Sequence, residues 1–180
     1  MKKKQIIYAL LVLSVNVYSQ TYSSRTAFIG FYSKTPLEDI TAENNQSFAI
    51  IDFTKKQLAV AALLKGFEFK KELMQTHFNE NYVESDKYPK ASFSGSINTI
   101  IKTDTGQLEV QVTGNLMLHG VTKNITIPAT LKISNGKLIG YAVFTIKPAD
   151  YNISVPAIVR DKIATEINVE VKLTADEIKK

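Results

Sequence analysis

Apolar and polar residues alternate with a period of two along most of this chain. Leu58, Val60, Ala62 and Leu64 share one strand face. Leu108, Val110, Val112, Gly114, Leu116 and Leu118 share another, with Glu109, Gln111, Thr113 and Asn115 between them. Ile125, Ile127, Ala129, Leu131 and Ile133 alternate with Asn124, Thr126, Pro128, Thr130 and Lys132. Near the end, Ile167, Val169, Val171 and Leu173 alternate with Asn168, Glu170 and Lys172. Successive side chains of a strand point to opposite faces, so these runs predict antiparallel strands with one dry and one wet face. Weaker runs at 24–33, 46–53, 90–101 and 137–147 bring the count to about eight. Asp104-Thr105-Gly106 and Ser134-Asn135-Gly136 have the composition of hairpin turns. Pro128 has no amide hydrogen to give and sits on the polar side of its run, which predicts a strand edge or a bulge there.

One segment breaks the rhythm. Over residues 70–83, Leu73, Met74, His77, Phe78 and Tyr82 recur at three- and four-residue spacing, while Lys71, Glu72, Gln75, Asn79 and Glu80 fall largely elsewhere. That is the pattern of an amphipathic helix, and Tyr88-Pro89 helps to prevent its continuation. A mostly β chain with one helix and meander-like turns predicts a closed barrel or a sandwich, and periodicity does not choose between them.

The first residues bear on location. Lys2, Lys3 and Lys4 precede the apolar stretch Ile6–Val17, and Val17 and Ser19 suit the positions three and one before a signal-peptidase cut. The expectation is a cleaved leader over residues 1–19 and a single domain over 20–180, exported to the periplasm or secreted. The apolar stretch is well short of the roughly 20 residues that span a bilayer. Export changes the charge balance. The chain has 22 Lys and Arg against 17 Asp and Glu, a net of +5; three lysines leave with the leader, and 19 − 17 leaves +2. No long basic run remains, so no nucleic-acid partner is expected. There is no cysteine, which excludes disulfides, thiol catalysis, thiolate metal sites and a lipoprotein anchor.

Catalytic arrangements are absent from the sequence. There is no Gly-x-Ser-x-Gly elbow and no phosphate-binding Gly-x-x-x-x-Gly-Lys. His77 and His119 are the only histidines and lack metal-ligand spacing. His119, beside Gly120, is read as bonding a strand end or touching a ligand headgroup. Glu38-Asp39 reads as a solvent-facing turn. Neither an enzyme nor a cofactor is expected from these patterns.

Two stretches are recognisable. His77-Phe78-Asn79-Glu80-Asn81-Tyr82-Val83-Glu84-Ser85-Asp86-Lys87-Tyr88-Pro89-Lys90-Ala91-Ser92-Phe93-Ser94-Gly95 and Gly114-Asn115-Leu116-Met117-Leu118-His119-Gly120-Val121-Thr122-Lys123 resemble the middle of YceI-like, polyisoprenoid-binding proteins. The resemblance covers roughly residues 67–133. The chain departs from that pattern in two places. Phe69-Lys70-Lys71-Glu72 stands where the family has an Arg-Asp pair, and Tyr151-Asn152-Ile153-Ser154-Val155-Pro156 replaces a C-terminal Arg-x-x-Phe-Gly. It resembles a shorter subgroup.

The resemblance implies an all-β, lipocalin-like antiparallel barrel of about eight strands with an internal apolar cavity. The helix would be its lid or pocket wall. It also implies an apolar ligand, a bound polyisoprenoid, quinone or other long-chain lipid, held without catalysis for storage or transport. Residues expected at the ligand are Phe67, Phe69, Met74, His77, Phe78, Tyr82, Gly114, Leu116, Leu118, His119, Gly140 and Ala142. Small residues among these leave room for a tail, unless Gly114 and Gly140 instead mark bulges or barrel corners. On the first reading Gly114→Leu would spare the fold and lower lipid occupancy. Transient membrane contact and a homodimer are compatible with such a carrier. The alternative is a barrel with a filled core, acting as an interaction or stress-protective module. A third reading is an enzyme on isoprenoid or fatty substrates that uses His77 or His119.

Overall fold

The computed structural model describes residues 20–103 and 106–178; the expected leader and its cleavage site lie outside them. Nine strands occur among the described residues: β1 (Thr21–Lys34), β2 (Asp39–Asp52), β3 (Gln57–Leu63), β4 (Glu68–Phe69), β5 (Lys90–Lys102), β6 (Leu108–Leu118), β7 (Val121–Ser134), β8 (Lys137–Ile146) and β9 (Ile167–Glu177). Eight of them close into an antiparallel barrel in the order β1-β2-β3-β5-β6-β7-β8-β9, with β9 returning to β1. The two-residue β4 pairs only with Ala42 and Glu43 of β2. Closure settles the choice between barrel and sandwich. β1 carries it, pairing with β2 along one side and β9 along the other, and register shifts around Ala27 bend it.

The period-two reading holds on β6 and β8, while β1 breaks phase at its bulges. On β6, Val110, Val112, Leu116 and Leu118 are buried while Glu109, Gln111 and Asn115 are exposed. Leu138, Gly140, Ala142, Phe144 and Ile146 of β8 take the inner face, and Ile139, Tyr141 and Val143 the outer one. The 134–137 connection is the expected hairpin, with Asn135 and Gly136 both at positive φ. His119 and Gly120 form a second such turn between β6 and β7. The turn expected at 104–106 falls partly outside the described residues; Gly106 has positive φ and its N–H donates to the Thr103 carbonyl. Pro128 is explained locally. β7 pairs β8 only from Ala129 onward, so Pro128 is the first residue beyond that ladder, while its other side faces Gln111.

Because the strands alternate in direction, the connections sort to two ends. The 35–38 turn, the 64–89 excursion, the 119–120 turn and the 147–166 segment gather at one end. The 53–56, 103–107 and 135–136 turns gather at the other. That far end is plugged by the buried side chains of Tyr22, Ile51, Ile97 and Leu138, with Phe53 edge-on to Tyr22 at 6.0 Å. The expected helix is there but shorter and less regular. Glu72–His77 (α1) is α-helical, and Phe78–Tyr82 continues as a single wide turn in which the Val83 N–H donates to the Phe78 carbonyl at 2.9 Å. Such wide turns recur at functional sites. No helix among the described residues is long and apolar enough to cross a membrane.

Candidate functional site

Inside the barrel, above the plugged end, lies a cavity of about 560 Å³. That volume is within the range of roughly 300–1,000 Å³ typical of sites for organic ligands. Its wall is built from the inner faces of the strands: Leu58, Val60 and Ala62 of β3, Val110, Val112, Leu116 and Leu118 of β6, Ile127, Ala129 and Leu131 of β7, Ala142 and Phe144 of β8, and Val169, Val171 and Leu173 of β9. Charged lining residues are confined to Glu38, Lys71 and Lys162, all on connections at the open end. The strand walls are mainly hydrocarbon, with Ser33 and Ser92 among them, while Glu38, Lys71, His77, Tyr82 and Lys162 line the open end.

Small residues make the space. Ala129 and Ala142 face each other across the β7–β8 ladder, and Ala62 and Ala91 across β3–β5. All four line the cavity. Bulkier residues at either pair would take up a large part of it.

Four phenylalanines form the wall beneath the helix. Phe31 packs on Phe67 (5.4 Å between ring centres), Phe69 (5.7 Å) and Phe78 (5.3 Å). Phe78 also meets Phe67 at 5.9 Å and Phe69 at 5.1 Å. α1 itself buries no residue, so this cluster and the buried Val83 and Ser85 that follow it hold the lid down. A lid with so little buried surface opens at low cost. The Gln75 side-chain carbonyl accepts from the Phe69 N–H at 3.2 Å, and the Asn79 amide donates to the Gln75 carbonyl at 2.9 Å. Burial pushes the Tyr82 hydroxyl above its ordinary value of 10.0, so it faces the cavity neutral.

An ion pair clasps the mouth. Lys71, just before α1, donates to Glu38 in the β1–β2 turn at 2.7 Å. That hydrogen bond, with the charges of Lys71 and Lys162, holds the Glu38 carboxyl below its ordinary 4.5 against the opposing effect of desolvation. The expectation that Glu38 simply faces solvent is corrected: its side chain is 22% exposed and ties two connections together. The 147–166 segment joins them, the Ala164 N–H donating to the Ser33 hydroxyl at 2.8 Å.

Ten of the twelve residues expected at the ligand line this cavity: Phe67, Phe69, Met74, His77, Phe78, Tyr82, Leu116, Leu118, Gly140 and Ala142. Leu73 joins them at the rim, 66% exposed, so the helical stripe borders the cavity at its mouth rather than being buried in it. Gly140 lines the cavity without enlarging it, since a Cβ there would meet Leu173 Cγ at 3.0 Å and Leu131 Cδ2 at 3.2 Å.

Two residues are elsewhere. Gly114 is buried and in phase with the inner face, yet it stands opposite Gly95 where β5 and β6 nearly touch. A Cβ at Gly114 would lie 2.3 Å from the Ser94 carbonyl oxygen and 2.4 Å from the Gly95 Cα. It marks a barrel corner. His119 is also outside the cavity lining. In the β6–β7 turn, its Nδ1 lies 3.0 Å from the Tyr151 carbonyl oxygen and its Nε2 2.7 Å from a Glu84 carboxylate oxygen. The Tyr88 ring stacks edge-on at 4.6 Å. His119 therefore joins three connections, as the strand-end reading expects. Replacing it by asparagine, which tolerates the positive φ, should lower unfolding stability by roughly 1–2 kcal/mol and leave the cavity as it is. Chemical denaturation checks the first part and ligand retention the second.

Sequence reasoning missed Ile29, Phe31 and Ser33 of β1, and Ile153, Val155, Val159 and Ile163 of the irregular segment. For the β1 residues a signal existed, an every-second-residue run in a strand otherwise rated weak. The irregular segment has no period to read.

The geometry has counterparts in known proteins. A UPF0312 protein of Pseudomonas putida (strain W619) is 33% identical over 96 residues, covering 50% of this chain and 48% of the relative. A UPF0312 protein of Pseudomonas syringae pv. tomato is 44% identical over 52 residues, covering 29% and 25%. The chain thus spans about half the length of the first of these curated relatives, and less of the second. Among solved structures, a polyisoprenoid binding domain from Saccharophagus degradans superposes with a TM-score of 0.75 at 16% identity, over 89% of this chain and 100% of that one. Burkholderia cenocepacia BcnA superposes with a TM-score of 0.69 at 17% identity, over 82% and 95%. At such identities these two speak for the barrel fold. The family assignment comes from the YceI-like domain model, which matches residues 22–175, and the chain belongs to that family.

Proposed function

We propose that this protein is exported and holds one long apolar lipid, of isoprenoid or quinone type, inside the barrel for storage or transport, without catalysis. The observation that carries this reading is the apolar cavity of about 560 Å³ beneath a lightly held lid. The name of its Saccharophagus relative, a polyisoprenoid binding domain, supports the same ligand class. A filled-core module needs an interior with no room for a chain, and the cavity speaks against it. Of the two histidines in the enzyme reading, His119 lies outside the cavity, which leaves His77 as its one candidate.

The energetics favour a carrier over a trap. Burying an isoprene unit from water yields about 3–4 kcal/mol. A tail arriving from a membrane is already dry, so its net transfer is near neutral and exchange is reversible. To test the reading, a long-chain isoprenoid quinone is added in a trace of ethanol and the mixture is gel-filtered. Stoichiometric co-elution is expected; protein that elutes free of quinone at every ratio contradicts the proposal.

The clasp predicts how release depends on pH. With its folded value depressed, the Glu38 carboxylate keeps the clasp above the ordinary carboxylate value of 4.5 and loses it as the pH falls through the lower folded value. Quinone release from wild-type protein should quicken on acidification below 4.5. Glu38→Gln should release quickly at neutral pH and show no such step. A pH-independent wild-type rate equal to that of the variant would show that the clasp does not restrain the lid.

A further inference from the structure

Three connections meet at the mouth, and each carries an exposed apolar tip. Leu37, in the β1–β2 turn, is 67% exposed; Leu73, on α1, is 66% exposed; Ile158, in the 157–162 turn, is 91% exposed. Their neighbours fix them around one opening. Glu38, Leu73 and Val159 all line the cavity, Glu38 pairs with Lys71, and Lys162 is near enough for its charge to act on Glu38. At the plugged end the exposed apolar residues Ile100, Ile133, Ile139 and Ile178 are 44%, 50%, 43% and 40% exposed. The most exposed apolar side chains thus surround the only way in that the described residues show.

We infer that the rim formed by Leu37, Leu73 and Ile158 is a membrane-docking surface that seats the mouth of the barrel on a lipid bilayer. This rests on the lipid-carrier reading and deepens it by naming the partner and the residues that meet it. Three separate tips on three connections suit insertion between lipids better than a flat contact with another protein. Their position suits it too, because a tail passing between bilayer and cavity must cross this rim, and a rim immersed in lipid spares it contact with water. Charge is close to balanced there, Lys70, Lys71, Arg160 and Lys162 standing among Glu38, Glu72 and Asp161. Docking is therefore apolar in origin, and it persists at high salt, where attraction between exposed charges is screened.

The test uses Leu37→Asp/Ile158→Asp in the full chain. Neither residue lines the cavity, and both are exposed. Flotation with vesicles of phosphatidylethanolamine and phosphatidylglycerol at high salt should recover wild-type protein and lose the double variant. Transfer of a long-chain quinone between such vesicles should fall roughly tenfold or more, while quinone delivered in ethanol loads both proteins equally. Ile178→Asp, at the opposite end, should float and transfer like wild type. Flotation and transfer by the double variant at wild-type levels would overturn the inference. So would wild-type protein that does not float and instead sediments as a dimer which the double variant dissolves. Failure of wild-type protein to load quinone from ethanol, with flotation intact, would sink the carrier reading and leave the docking surface standing.

Discussion

Replacing Ala142 by phenylalanine is expected to weaken ligand binding in a barrel that remains folded. Ala142 lines the cavity and faces Ala129 across β7 and β8, so a ring at this position projects into space now unfilled. Displacing even two or three methylene groups of a ligand removes about 2 kcal/mol of burial. That is more than tenfold in affinity. The ligand-free protein should be no less stable, and filling the void should raise its stability by about 0.5–2 kcal/mol. Quinone co-elution and thermal unfolding of the same preparation read both quantities. Wild-type loading together with an unchanged melting temperature would mean that Ala142 does not border the ligand space.

The opposite outcome is expected at Gly114. Leucine there should cost roughly 3 kcal/mol or more, with loss of soluble protein as the extreme, because a Cβ would fall 2.3 Å from the Ser94 carbonyl oxygen. Backbone of a neighbouring strand cannot step aside as a flexible side chain can. Gly140→Ala supplies the contrast. The nearest atoms there are the ends of Leu173 and Leu131, which can shift by a few tenths of an ångström, so a much smaller loss is expected. Denaturant unfolding of the two variants ranks them directly. A Gly114→Leu protein as stable as wild type would show that β5 and β6 can separate at this corner.

These two glycines show what the sequence could and could not tell. Gly114 sits in phase with Val110, Val112, Leu116 and Leu118 and reads as an inward gap, because period gives the face of a strand but not the distance to its neighbour. The long alternations of β3, β6, β7 and β9 were legible because each has one dry and one wet face, and the helix stripe was legible at its own spacing. Barrel closure was not. It depends on β1 pairing with two partners across bulges around Ala27, and long-range register leaves no local mark. Phe31 was hidden for a related reason, since its weight comes from three rings on other elements. Ile153, Val155 and Val159 lie on irregular backbone, where no period exists. Glu38 read as an ordinary turn acid because its partner, Lys71, is distant in sequence.

The central claim is that the apolar interior is occupied by a lipid. It is tested most directly by purifying the protein without detergent, extracting it with organic solvent and weighing the extract by mass spectrometry. The account predicts a long-chain apolar species in stoichiometric amount from wild-type protein and a depleted one from Ala142→Phe. Repeated recovery of empty wild-type protein, from cells rich in such lipids, would contradict it.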